Sequence, residues 1–235
     1  VRQASLLIPA FNEEDRIADT VRAASRLRGV AEVIVIDDGS TDGTAAAAAD
    51  AGASRVLRLP RNRGKGAALD AGLREAREPV ILMLDGDLGE SASLAQPLLD
   101  PVLADEADMT VAVFPELVSR QGGGGLGLAL RLARWGIRVL TGAQLAAPLS
   151  GQRALDRRIV ETMGGFGRGF GVETALSGWA AAGGWRVVEV PLAMSHRRTG
   201  RDLRGFLHRG RQLLHIARAL IWLIFSRRRA RSSRS

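Results

Sequence analysis

The first half of the chain alternates short apolar runs with stretches of helical period. Val33 to Ile36 and Val80 to Leu84 are apolar at every position, the pattern of strands buried on both faces of a parallel sheet. Ser5 to Ile8 reads as a strand before them, and Arg55 to Leu59 as a shorter one between them. Ile17, Val21, Ala24 and Leu27 recur at helical spacing, with acids early and Arg26 and Arg28 late, and Gly29 is a helix stop. The alanine run Ala45 to Ala49 predicts a second helix and Ala67 to Ala76 a third. Pro60 to Gly66 reads as a loop. Strand and helix therefore alternate four times, which predicts a parallel sheet with right-handed crossovers. A polar cluster follows each strand, so the loops converge on one sheet edge.

The second half is less regular. Met109 to Val113 predicts a fifth strand and Leu126 to Leu140 a helix, and Ser150-Gly-Gln-Arg153 precedes another helix. Val187 to Val190 is a late strand closed by Pro191. Four consecutive glycines in Gln121 to Gly125 predict a mobile loop or lid. No internal repeat divides the chain. The expectation is one α/β domain over 1–200, followed over 201–235 by a basic amphipathic helix and a polybasic tail.

Composition changes this picture at one end only. The 235 residues carry a net charge of +8. From Arg197 onward there are 12 arginines and one acid, Asp202, while the remainder holds 21 basic and 24 acidic side chains. The basicity thus belongs to the C-terminal segment. With no cysteine there is no disulfide framework and no thiolate metal site, which fits a reducing compartment. The start shows no signal-peptide pattern, and no apolar stretch is long enough to span a bilayer.

The candidate chemistry centres on Asp85-Gly86-Asp87, directly after the most apolar run. Open α/β sheets place ligands at the carboxyl ends of their strands. Two carboxylates with no base between them repel, and a divalent cation such as Mg²⁺ or Mn²⁺ would relieve the repulsion. Gly86 would let a phosphate or sugar approach the backbone. An acidic turn after a strand is the plainer reading of the three residues alone.

Four segments in order decide between these readings. Ser5-Leu-Leu-Ile-Pro-Ala-Phe-Asn-Glu-Glu14, Val33-Ile-Val-Ile-Asp-Asp-Gly-Ser-Thr-Asp-Gly-Thr44, Asn62-Arg-Gly-Lys-Gly-Ala-Ala-Leu69 and Asp85-Gly-Asp87 resemble the family-2 glycosyltransferases. The resemblance implies a GT-A fold, a mostly parallel sheet flanked by helices. It also implies a UDP- or GDP-sugar donor held by Pro9, Ala10, Phe11, Glu13, Asp38, Lys65, Gly66, Asp85 and Gly86. Asp85 and Asp87 would hold Mg²⁺ or Mn²⁺, and Asp87 is carried over as a catalytic residue. Ser150-Gly-Gln-Arg153 and Arg197-x-x-Gly200 are similar to polyprenyl-phosphate sugar transferases of the dolichol-phosphate mannose synthase type. Gly169-Phe-Gly-Val-Glu-Thr174 and His196 are similar to glucosyl-3-phosphoglycerate synthases. His196 would then be a third metal ligand, Arg153 and Arg197 would meet an acceptor phosphate, and Glu173 is the candidate general base for a hydroxyl acceptor. Plain structural roles stand beside these: a helix first-turn acid for Glu13 and Glu173, a turn for Asp38, a solvated loop lysine for Lys65, and a surface position for His196.

The C-terminal segment supports two readings of its own. Arg204, His208, Arg211, His215 and Arg218 form one helical stripe, with apolar residues over much of the rest. Such a helix fits an anionic membrane surface, or it packs on the sheet and is followed by a disordered tail. A nucleic-acid arm is the less favoured reading, because no recognised nucleic-acid fold accompanies it, and the expectation is no nucleic-acid partner. The sequence therefore predicts a metal-dependent sugar transferase. It would be cytoplasmic or peripheral on the inner face of the cell membrane, with a polyprenyl phosphate or other cell-envelope acceptor. A soluble transferase acting on a small phosphorylated acid is the alternative. A nucleotide-sugar binding module without turnover is the non-enzyme reading, and intact Asp85, Asp87 and Glu173 count against it.

Overall fold

A computed structural model describes residues 2–114, 125–167, 171–194 and 213–226. In chain order the elements are β1 (Ala4–Ala10), α1 (Ile17–Ala24), β2 (Val30–Asp37), α2 (Thr44–Asp50), β3 (Arg55–Arg58), α3 (Lys65–Glu75) and β4 (Val80–Met83). A 3-10 helix (Gly89–Ala95) then runs into α4 (Gln96–Leu103). After it come β5 (Met109–Val113), α5 (Gly125–Thr141), β6 (Arg153–Asp156), α6 (Arg157–Met163), α7 (Val172–Ala182) and β7 (Val187–Pro191). A last helix, α8, covers 213–226.

The strands form one sheet in the order β3-β2-β1-β4-β6-β5-β7. β1 pairs in parallel with β2 and β4, and β2 with β3. β6 runs antiparallel between β4 and β5. This strand is absent from the sequence reading, which runs Ser150 to Arg153 directly into a helix. Arg and Asp at its two ends hide the two apolar positions between them. The 3-10 helix and α4 were also unread, and α3 begins at Lys65, where a loop was expected.

Alternation along the strands sorts the core to both sides of the sheet. Leu6, Ile8, Val33, Val35 and Leu82 pack with Ile17 and Val21 of α1 and with Leu98, Leu99 and Val102 of α4. Leu7, Ile34, Ile36, Ile81 and Met83 point to the other face, against Leu69 of α3, Ile159 of α6 and Leu176 and Trp179 of α7. Each such side chain, fully buried, contributes about 1.5–3 kcal/mol relative to exposure. A third cluster joins Ala129, Ala133 and Ile137 of α5 to Ile216 and Leu220 of α8. The boundary expected at 200/201, like residues 121–124 of the expected glycine-rich loop, lies outside the described residues.

Candidate active site

Parallel pairing sets Ala10 opposite Asp37, and Leu7 opposite both Ile34 and Met83, so β1, β2 and β4 end on one edge. The loops leaving that edge are laced to one another. Asn12 N–H donates to Ser40 Oγ at 2.9 Å and Glu13 N–H to Thr44 Oγ1 at 2.8 Å. In return Thr41 N–H donates to Asn12 Oδ1 at 2.9 Å and Gly43 N–H to Glu14 Oε2 at 2.8 Å. Each motif therefore uses its polar side chains to satisfy the other's backbone.

Asp38 carries the lacing to the third motif. Its carboxylate, 4% exposed, accepts from Arg63 N–H at 2.8 Å and Gly64 N–H at 2.7 Å. Gly39, at φ +78°, lies so close to the backbone of Arg61 and Asn62 that a Cβ would stand 2.6 Å from Arg61 C. The turn expected of Asp38 is made instead by Asp37, whose Oδ1 accepts from Ser40 N–H at 2.7 Å.

This clamp fixes the start of α3 and so aims Lys65. Its Nζ lies 2.6 Å from Asp85 Oδ1 and 2.9 Å from Glu173 Oε1. Lys65 is thus not a solvated loop residue. Burial by itself would depress its pKa, but Asp85 and Glu173 outweigh burial and hold it above the ordinary lysine value. The Lys65 ammonium brings the fourth motif and the second half of the chain, through Glu173 at the start of α7, to one point.

β6 completes that point. Antiparallel pairing sets Arg153 opposite Met83, so residues 150–152 stand beside the turn that follows β4. Gln152 Nε2–H donates to Asp85 Oδ2 at 2.9 Å. A Cβ on Gly151 would stand 2.6 Å from Lys65 Nζ and 2.7 Å from Asp85 Oδ2. From the other side, the Thr20 hydroxyl meets Gly86 O at 2.9 Å and receives Gly89 N–H at 2.8 Å, and Arg16 donates to Asp87 O at 3.2 Å.

The structure corrects one expectation outright. Arg153 has no exposed surface, and its guanidinium donates to Ser150 O, Pro148 O and Ser177 Oγ at 2.8–2.9 Å. Burial lowers its pKa to about 10, against the opposing pull of Glu173 and Glu189. A phosphate cannot reach a guanidinium spent in this way, so Arg153 braces the 148–152 loop from behind. Of the other candidates at the carboxyl end of β1, Ala10 is buried, Pro9 and Glu13 are half-buried, and Phe11 is 43% exposed. A Cβ on Gly66 would collide with the Gly167 carbonyl and approach Val172, so this glycine serves close packing. Gly86 likewise packs on Ala10, 3.2 Å from where its Cβ would be. His196 and Arg197 lie outside the described residues. Gln152, Gly151 and Thr20 went unassigned in the sequence, although Ser150-Gly-Gln-Arg153 stood out as a run.

Fold and site together define an α/β protein whose carboxylate turn lies at one sheet edge, where parallel pairing gives way to antiparallel. Residues 5–129 match glycosyl transferase family 2, and the chain belongs to that family. Glycosyltransferase AglJ of Haloferax volcanii is 35% identical over 205 residues, covering 84% of this chain and 64% of that protein. Dodecaprenyl-phosphate galacturonate synthase of Rhizobium johnstonii is 34% identical over 118 residues, 46% of this chain and 35% of that protein. The crystal structure of glucosyl-3-phosphoglycerate synthase from Mycobacterium tuberculosis, in complex with Mn²⁺, UDP-glucose and phosphoglyceric acid, is 29% identical. It matches with a TM-score of 0.75 over 95% of this chain and 80% of that one. The chain spans less than two thirds of the length of these two curated relatives. The matches bear out the family and the GT-A-type fold.

Proposed function

We propose that the protein transfers a sugar from a nucleotide-sugar donor to an acceptor oxygen, with Mg²⁺ or Mn²⁺ as cofactor. The observation that carries this reading is the convergence of Asp85, Lys65, Glu173 and Gln152 on one corner of the ligand edge. Asp85 and Asp87 are hard oxygen donors one residue apart, and the ammonium already seated on Asp85 shows that the corner takes positive charge. The donor set therefore fits a divalent cation. Among the described residues no three His, Cys, Asp or Glu side chains gather into a self-sufficient metal site. Asp85 and Asp87 would hold the cation, and His196 is the further ligand this reading assigns. When bound, the metal supplies Lewis-acid neutralisation of the charge that grows on the departing diphosphate.

The chain's own residues take the remaining roles. Phe11 offers an exposed ring to the base, and the Glu13 carboxylate accepts from ribose hydroxyls. Asp38 is assigned to the base and also holds the loop that aims Lys65. Lys65 and the backbone at Gly66 and Gly86 face the diphosphate. In transfer the bond from the anomeric carbon to the diphosphate oxygen breaks and its electron pair leaves with the nucleotide. The acceptor oxygen forms the new bond to that carbon. A hydroxyl acceptor loses its proton to Glu173, which Lys65 orients, whereas a phosphate acceptor is already an anion and needs no base.

For the acceptor the reading takes a polyprenyl phosphate, approached by Arg197, with the protein peripheral on the inner face of the membrane. The relative named for a dodecaprenyl phosphate supports this choice, as does the exposed apolar face of α8 described below. A second reading, transfer to a small phosphorylated acid, is favoured by the relative solved with phosphoglyceric acid. Thermal shift separates donor from acceptor questions. UDP-glucose with Mn²⁺ is expected to raise Tm by several degrees, since ligand at 100 times Kd adds about 2.7 kcal/mol. Equal melting with and without donor and metal would refute the reading. Turnover with polyprenyl phosphate in detergent, against phosphoglyceric acid in buffer, then selects the acceptor.

A further inference from the structure

α8 carries two apolar stripes, and the domain uses only one. Ile216, Leu220 and Leu223, at i, i+4 and i+7, are buried. The first two meet α5, while Leu223 lies against Gly178 of α7, 2.5 Å from where a Cβ would be. Trp222 adds a ring contact to Trp179 of α7, with centroids 5.5 Å apart. The opposite stripe, Leu214, Arg218, Ile221 and Phe225, at i, i+4, i+7 and i+11, faces outward, and Phe225 is 80% exposed. The helix thus packs on α5 and α7, not on the sheet, and still presents outward three large apolar side chains around Arg218.

Isolated exposed hydrophobic side chains need no explanation, but contiguous ones do. Among the described residues, eight of the eleven large exposed hydrophobic side chains lie on α5 and α8. α5 repeats the pattern outward: Leu128, Arg131, Trp135 and Arg138 share one helical face and are exposed. Neither helix contains an acidic residue.

We propose that the outer stripe of α8 is a docking surface for an anionic lipid bilayer. The charge selects this occupant. A second copy docked face to face would bring Arg218 and its neighbours against themselves. The chain's own segment 195–212 holds six arginines and one acid, and five more arginines fall in the last nine residues. Neither complements a cationic face. A bilayer supplies both halves, an apolar interior for Ile221 and Phe225 and acidic headgroups for the arginines. Tryptophan at the edge of such a face is the usual interfacial anchor. The proposal deepens the acceptor reading above, because a polyprenyl phosphate is presented at a membrane surface.

Flotation of the full chain with vesicles tests it, without donor or acceptor present. Vesicles containing phosphatidylglycerol are expected to carry the protein, and pure phosphatidylcholine vesicles to carry at least tenfold less. Bromolipid vesicles should quench tryptophan fluorescence. The double variant Ile221→Asp/Phe225→Asp alters exposed positions only and should bind at least tenfold more weakly with an unchanged melting temperature. Leu94→Asp, an exposed apolar site on the 3-10 helix, should bind as before. Failure of the wild type to float, or undiminished flotation of the double variant, overturns the proposal. So does a concentration-dependent dimer that the double variant abolishes in a chain that ignores vesicles. A chain that floats but glycosylates only phosphoglyceric acid refutes the acceptor reading and leaves the surface standing. A chain that ignores vesicles but modifies polyprenyl phosphate in detergent does the reverse.

Discussion

Lys65 shows how much one side chain settles in this molecule. Its ammonium touches carboxylates from two distant parts of the chain, Asp85 and Glu173, and holds them near each other. Lys65→Met should leave those two charges uncompensated and lower kcat/KM at least tenfold, about 1.4 kcal/mol of transition-state stabilisation. Lys65→Arg should recover part of that loss. Because its pKa is held above the ordinary lysine value, the stabilisation from this pairing is complete below pH ~10.4. It disappears only as pH rises through the raised value, so Lys65 contributes no alkaline limb to a rate profile between pH 7 and 10. Gly151→Ala tests the same corner sterically, since its Cβ would lie 2.6 Å from Nζ. Activity there should fall while the melting temperature changes little. Asp87→Ala is expected to abolish transfer and leave the fold intact, because the residue lies past the strand and outside the core. Full activity in that variant, or undiminished activity in EDTA, would count against the metal.

At the level of elements, the helices at the opposite sheet edge depend on charge. Asp156 ends β6 and caps α6, accepting from Arg158 N–H at 2.9 Å, and it also pairs with Arg2 and Arg158 side chains. Burial would raise its pKa, but those bonds hold it below the ordinary carboxylate value. The sign follows: its stabilisation is present above pH ~3.9 and lost as pH falls through the lowered value. Asp156→Asn should cost about 1–2 kcal/mol at pH 7, and the difference from wild type should shrink in acid. Urea denaturation at both pH values measures it. α8 is held by packing instead. Leu220→Ala should cost about 2–4 kcal/mol, because the leucine fills the space against Gly136 and the α5 alanines.

For the whole molecule, the sheet joins the first two hydrophobic clusters and α7 joins the second to the third, so they should melt together. Trp222 contacts Trp179, whose ring lies in the cluster beneath the sheet. Tryptophan fluorescence and far-ultraviolet circular dichroism are therefore expected to give coincident thermal transitions. Earlier loss of the signal that Trp222→Phe removes would show that α8 detaches on its own. No helix among the described residues is long and apolar enough to cross a membrane.

The sequence by itself determined the sheet's first half and the family. Strands buried on both faces must be continuously apolar, and loops leaving one edge must carry the polar residues, so β1, β2, β4 and their motifs were legible as local patterns. Local pattern also showed a basic stripe and abundant apolar residues in the C-terminal helix, and left open whether it meets a membrane or the domain. Tertiary structure alone decided the rest. β6 is a strand because β4 and β5 bond to it on both sides, which no property of Arg-Ala-Leu-Asp announces. Arg153 is a brace because Pro148, Ser150 and Ser177 surround it, and Lys65 is a bolt because Asp38 fixes the loop before it. Those roles depend on contacts between residues far apart in the chain, and side-chain burial and pairing arise only when the chain has folded.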